Sequence, residues 1–272
     1  MLRHITLVAL FAIACFGGRA IAGSNSLLDN GRIVGGTDAD IRQYPHQISL
    51  RYRGRHFCGG SIYSANIIVT ATHCVDDEDP TDISIVAGVS TLDGEGVNIP
   101  VVKIIAHEKY NVLNDYDVAL LLLATNLTFN ESIQPIALAK ERPPAGTEVT
   151  VTGWGRLVEG GPLSNRLQQV TVNLVGQSDC RKSYLLFLTK RMLCAGVVGG
   201  GQDSCQGDSG GPLIVGNELL GIVSWGAGCG SKNFPGVYAS VPDLAEWIEA
   251  TCDILTNSGN SGGAESERYS YL

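Results

Sequence analysis

From residue 47 onward, short runs of apolar and β-branched residues alternate with Gly, Pro, Asn and Asp. Gln47 to Tyr52, Ile67 to Thr70, Ile83 to Ala87, Val101 to Ile105, Val118 to Leu123, Glu148 to Thr152, Gln168 to Val175, Leu219 to Trp225 and Val237 to Val241 each read as a strand. Many short strands at this spacing predict an all-β fold, a barrel or a sandwich. Helical periodicity occurs once, over Pro242 to Ala250, where Asp243 can cap and Leu244, Trp247 and Ile248 share a face. Beyond Cys252 the chain turns to Ser, Gly, Asn and Glu without apolar periodicity, so residues 253–272 are expected to be a disordered tail.

The first residues follow another pattern. A basic start (Arg3, His4), an apolar run from Ile5 to Phe16 and Ala20-Ile21-Ala22 before Gly23 predict a signal peptide over residues 1–22. The run is shorter than the roughly 20 residues a spanning helix needs. A secreted, extracellular protein without a membrane anchor is therefore expected.

With 44% hydrophobic and 17% charged residues, the chain carries enough apolar surface for a folded core. Its formal charge of −8 argues against a phosphate-binding surface, which excludes nucleic acid as a partner. Removal of three basic and one acidic residue through Arg32 takes that charge to about −10. Eight cysteines suit an oxidising compartment, and Cys15 leaves with the signal peptide. Seven is odd, which predicts three disulfides and one remaining thiol. No C-x-x-C pair with a partner pair of histidines is present, so no structural zinc is expected.

The densest chemical string is Asp203-Ser204-Cys205-Gln206-Gly207-Asp208-Ser209-Gly210-Gly211, a serine among glycines that permit close backbone approach. A serine nucleophile needs a base within hydrogen-bond reach, and the base needs an orienting group. Gly207 to Gly211 also fits the G-x-S-x-G elbow of α/β-hydrolases, whose histidine follows the serine. No histidine follows Ser209, so only a histidine-first order survives. His73, in Val69-Thr70-Ala71-Thr72-His73-Cys74, ends a β-type run. Asp117 directly precedes the apolar Val118 to Leu121, and Asp115 is its rival.

On these strings, together with Arg32-Ile33-Val34-Gly35-Gly36, Gly153-Trp154-Gly155 and Ser224-Trp225-Gly226, the chain resembles the trypsins of the chymotrypsin-like serine protease family. The likeness runs from about Ile33 to Ile248. It implies two six-stranded antiparallel β-barrels with the active site in the cleft between them and a short C-terminal helix. It also implies a propeptide over residues 23–32 and a protease domain over 33–252.

The resemblance implies that Ser209 attacks the scissile carbonyl, His73 carries the proton and Asp117 orients the imidazole. Backbone N–H groups of Gly207 and Ser209 would form the oxyanion hole, each such donor being worth roughly 3 kcal/mol. Asp203 would sit at the base of the primary pocket, with Gly226 and Gly236 on its walls, and select Arg or Lys. Cleavage after Arg32 would free the Ile33 α-amino group to pair with Asp208; such a group has a pKa near ~8, so activity should fall at alkaline pH. By the same resemblance Cys58 pairs with Cys74, Cys180 with Cys194 and Cys205 with Cys229, leaving Cys252 free, capped by a small thiol or joined to another chain.

Two sequons, Asn126-Leu127-Thr128 and Asn130-Glu131-Ser132, fall in an expected surface connection. The acidic run Asp76 to Asp79 lacks EF-hand spacing, and the segment from Gly88 to His107 lacks the acidic pairs of calcium-binding trypsins. No metal or cofactor is therefore expected. Expected partners are polypeptides with Arg or Lys at the cleaved bond and protein protease inhibitors, with the enzyme a monomer. An inactive homologue serving as a binding module would lack a triad member, and all three are present. Thr72 departs from the family, which more often has alanine before the histidine.

Overall fold

The computed structural model describes residues 35–260. The expected signal peptide and propeptide, Arg32 and Ile33, and positions 261–272 lie outside the described residues. A two-residue strand, β1 (Thr37–Asp38), precedes β2 (Gln47–Tyr52), β3 (Arg55–Ile62), β4 (Ile67–Thr70), β5 (Ile83–Ala87), β6 (Val97–Ala106) and β7 (Ala119–Leu123). The latter six close into an antiparallel barrel in the order β2-β3-β4-β7-β6-β5. Its interior is filled by Ile48, Leu50, Ile62, Ile68, Ile85, Leu120 and Leu121, all fully buried. Burying each such side chain contributes about 1.5–3 kcal/mol.

After a short β8 (Ala137–Leu138) come β9 (Glu148–Gly153), β10 (Gln168–Val175), β11 (Met192–Gly196), β12 (Pro212–Val215), β13 (Glu218–Trp225) and β14 (Gly236–Ser240). Pairing runs β10-β11-β14-β13-β12-β9 and returns from β9 to β10, so these six form a second closed barrel. β1 extends it at β10, and β8 runs parallel to β13. Val151, Val172, Leu213, Leu220 and Tyr238 fill this core.

Of the twelve barrel strands, three escaped the hydrophobic pattern, β3, β11 and β12, as did the two-residue β1 and β8 outside the barrels. Gly59 and Gly60 interrupt the apolar signal of β3, and packing explains them. A Cβ on Gly60 would lie 2.9 Å from Ile48 Cδ1, and one on Gly59 would lie 3.0 Å from Gly211 Cα. With no side chain there, the Gly59 N–H reaches the Ser209 carbonyl at 2.7 Å. The first barrel thus touches the Ser209 loop directly.

The helices differ from expectation in two ways. An additional helix, α1 (Gln177–Tyr184), carries too few apolar residues to show periodicity, since only Cys180 and Tyr184 are buried. The C-terminal helix, α2 (Val241–Asn260), does not stop near Ala250. Leu244, Ile248, Cys252 and Leu255 form one buried stripe at i+3 and i+4 spacing, so the first part of the expected tail is helical. Cys252 is unpaired and buried on that stripe.

Disulfides join Cys58 to Cys74, Cys180 to Cys194 and Cys205 to Cys229. The first fixes β3 to the turn that carries His73, and the third fixes the Ser209 loop to the opposite pocket wall. Loop-closure entropy makes each worth on the order of 3 kcal/mol. No helix among the described residues is long and apolar enough to cross a membrane.

Candidate active site

His73 sits in a 3₁₀ turn, Thr72–Cys74, that follows β4. Asp117 ends the connection between β6 and β7 and is fully buried. Asp117 Oδ2 accepts from His73 Nδ1 at 2.8 Å, and its Oδ1 accepts from the His73 backbone N–H at 2.9 Å. A third donor, Ser224 Oγ of β13, reaches Oδ2 at 2.5 Å. A carboxylate only accepts, so this pairing places the imidazole proton on Nδ1 and leaves Nε2 with its lone pair. Asp115, the rival, accepts instead from Arg191 and Thr189 and does not approach His73.

Thr72 has a structural reason. Its buried hydroxyl donates to the Val118 carbonyl at 2.7 Å, tying the histidine turn to the residue after Asp117.

Ser209 lies in the loop between β11 and β12 and lines a cavity of about 230 Å³ with Asp203, Trp225, Gly226, Gly228 and Gly236. Its hydroxyl makes no hydrogen bond to His73 among the described residues. Such bonds are often long in unliganded enzymes and tighten when substrate binds. Gly207 adopts φ of 99°, a left-handed conformation that suits glycine. His56 Nε2 donates to its carbonyl at 3.1 Å, while Ser49 Oγ lies 2.9 Å from His56 Nδ1. The peptide that carries the Gly207 N–H is held from its other side, where the Gln206 carbonyl accepts from the Arg156 N–H at 2.8 Å, and the N–H groups of Gly207 and Ser209 have no protein acceptor among the described residues.

Two more carboxylates are buried on the same loop. Asp203 is 2% exposed at the cavity floor and accepts from the N–H groups of Ser204 (2.8 Å) and Gly230 (3.2 Å). Burial pushes its pKa up to about 6. A Cβ on Gly236 would come within 2.5 Å of its Oδ1, whereas one on Gly226 would meet nothing closer than 3.6 Å. Gly236 therefore makes room for the carboxylate, and Gly226 leaves the cavity open. A larger cavity of about 590 Å³, bounded by Leu174, Val197 and Pro235, also reaches Asp203; its lining includes Ser183, Ser231 and Lys232 but no histidine to serve as their base. Ser209 lines only the smaller of these two cavities.

Asp208 is fully buried and accepts from Gly155 N–H at 2.8 Å and Cys205 N–H at 2.9 Å. Its burial pushes its pKa up to about 7, and Asp203 adds to the rise. A Cβ on Gly153 or Gly155 would collide with its carboxylate oxygens, which accounts for both glycines of Gly153-Trp154-Gly155.

The family model for Trypsin matches residues 33–248. The chain belongs to the trypsin family. It is similar to hypodermin-B of Hypoderma lineatum, with 44% identity over 253 residues covering 91% of this chain and 97% of the relative. Trypsin delta of Drosophila erecta is 43% identical over 254 residues, 91% of this chain and 98% of its own. Trypsin delta of Drosophila melanogaster gives 43% over 256 residues, with the same two shares. This trypsin-family chain is a serine endopeptidase acting on polypeptides.

Sequence reasoning gave no role to Ser224 or His56. Ser224 was visible inside the Ser224-Trp225-Gly226 string. His56 had no local signal, because its partner Gly207 is 151 residues away. Of the acidic run, Asp79 caps the turn Pro80–Asp82 through the Thr81 N–H.

Proposed function

We propose that this protease is made as a secreted zymogen, is activated by cleavage after Arg32, and hydrolyses peptide bonds after Arg or Lys through an acyl-enzyme. The observation that carries the specificity is Asp203, a buried carboxylate without a basic partner among the described residues, at the floor of the cavity that Ser209 lines. A buried charge is costly unless paired. A substrate guanidinium or ammonium supplies the pair.

In the proposed cycle His73 Nε2 takes the Ser209 proton as Oγ bonds to the scissile carbonyl carbon. The resulting oxyanion is stabilised by the free Gly207 and Ser209 N–H groups. His73 then returns the proton to the leaving amine, the C–N bond breaks, and water hydrolyses the ester by the same steps in reverse order. Asp117 keeps the imidazole in the required tautomer and stabilises its protonated form.

Activation follows from Asp208. A carboxylate with two backbone donors and a pKa pushed to about 7 is incompletely compensated. The α-amino group freed on Ile33 would compensate it and fix the neighbouring Gly207 peptide. Secretion rests on the residue 1–22 pattern, and glycosylation on the exposed Asn126 and Asn130. Protein inhibitors would bind as substrates do, to the monomer.

The test is hydrolysis of matched peptides ending in Arg, Lys, Phe or Ala before a reporter group, using protein cut after Arg32 with Ser209→Ala as control. Turnover confined to the Arg and Lys peptides and absent from the control supports the reading. Equal turnover of the Phe peptide removes the specificity, and turnover in the control removes the mechanism.

A further inference from the structure

Just before Asp117 the backbone is strained. Asn114 and Tyr116 both have positive φ, 54° and 57°. For a bulky aromatic residue this is an outlier, and such conformations persist only when the surroundings over-determine them. The Val118 N–H also bonds back to the Tyr116 carbonyl at 2.8 Å, closing a three-residue turn around Asp117. Something must hold this segment.

Arg191 does so from the second barrel. Its Nε donates to Asp115 Oδ1 at 2.9 Å, and its Nη2 pairs with Oδ2. Thr189 Oγ1 adds a bond of 2.8 Å to Oδ1. The side chains of Arg191 and Asp115 are only 17% and 7% exposed, so solvent screens this pair weakly. The same guanidinium lies 4.0 Å from the Tyr116 ring centroid, and His107 stands 4.5 Å from that ring. The residue between the two strained positions and the ring of the second are thus both held by one side chain. That side chain precedes β11, on the barrel that also carries Ser209. Asp117 and His73 belong to the other barrel.

We propose that Arg191 is a positioning residue for the proteolytic reaction: its ion pair with Asp115 and its seat on Tyr116 hold the Asn114–Asp117 backbone in the conformation that aims Asp117 at His73. Ser224, bonded directly to Asp117, is the inner tie between the barrels, and Arg191 is the outer one. The inference rests on the orienting role proposed above for Asp117.

Three variants, cut after Arg32 and counted by covalent active-site titration, test it. Arg191→Met should lower kcat per titrated site about tenfold with KM within twofold, since misplacement by about 1 Å can lose up to 10²-fold. Arg191→Lys, which keeps charge but not the bidentate fork, should recover part of that loss. Thr189→Val, a milder change should Arg191→Met fail to fold, should lower kcat about threefold. A lower melting temperature with kcat per site unchanged makes the clamp purely structural and overturns the proposal. A raised KM at constant kcat overturns it as well. Asp117→Asn separates the two readings. Its kcat should collapse by about 10⁴ as in triads generally, and an intact kcat there would sink the triad assignment itself, and the clamp with it.

Discussion

Replacing Asp203 with Ser removes the cavity-floor carboxylate while leaving Ser209, His73 and Asp117 in place. In the complex of the parent enzyme, a substrate cation and Asp203 would form a buried pair on a floor that is 2% exposed. Breaking such a pair by deleting one partner costs about 3–5 kcal/mol. At about 1.4 kcal/mol per decade, kcat/KM for Arg and Lys peptides should fall by roughly two to three and a half decades. Peptides ending in Phe should change little, because their side chain never used the charge.

The pH dependence gives an independent check. Burial holds Asp203 up at about 6 in the empty pocket. A bound cation favours the charged form and draws that pKa down, so below about pH 6 binding must first expel a proton. KM for Arg peptides should therefore rise as pH falls through about 6, while KM for Phe peptides stays flat. Asp203→Ser should abolish the difference. Matched peptides assayed from pH 5 to 8 on both proteins decide it, and unchanged cleavage after Arg in the variant would refute the reasoning.

Asp208 predicts a stability effect. Its folded pKa of about 7 lies above the unfolded value near ~3.9, so its contribution is fully present below about pH 4 and is lost as pH rises through about 7. The loss is on the order of 4 kcal/mol at 1.36 kcal/mol per unit. The melting temperature of the uncut Ser209→Ala protein should drop by several degrees between pH 5 and 8, and that of the cut protein by less. Parallel curves would remove the proposed Ile33 partner. Thr72→Val removes the 2.7 Å donor to the Val118 carbonyl, which keeps the His107 N–H at 3.1 Å, and should destabilise by about 0.5–1.5 kcal/mol in urea titration. Gly155→Ala, which drives a methyl group into the Asp208 carboxylate, should cost about 1–3 kcal/mol and lower kcat, because the same carboxylate borders the Ser209 loop.

Strands whose buried faces are built from β-branched and Leu residues were legible in the sequence, as Gln47–Tyr52 and Ile83–Ala87 illustrate. β3 was not, because Gly59 answers to a contact with the Ser209 loop, far away in sequence, and Gly60 to Ile48 and Ile68 inside the barrel. α1 was hidden for a related reason: what holds Cys180 is a disulfide, and that leaves no helical period. The C-terminal helix was cut short by ending the apolar stripe at Ile248, when Cys252 and Leu255 continue it. Site residues separated clearly. His73, Asp117 and Ser209 stand in local strings, whereas Ser224, His56 and Arg191 act through partners on the opposite barrel.

Three of the buried aspartates, Asp117, Asp203 and Asp208, share one chemistry and differ in their neighbours. Asp117 accepts from two groups of His73 and from Ser224, so its charge is used inside the protein. Asp203 and Asp208 lie on one loop, held by backbone and hydroxyl donors but no cation among the described residues, and burial raises both. The field of Asp203 adds to the rise at Asp208. A cation placed beside either one therefore makes it easier for the other to stay charged. By linkage, a basic substrate side chain at Asp203 should strengthen the proposed ion pair at Asp208, and that ion pair should tighten the pocket for basic substrates by the same factor. On this reasoning, specificity and activation are two occupancies of one electrostatically coupled loop, and Ser209 lies on it because both occupancies order the backbone that would bind the oxyanion.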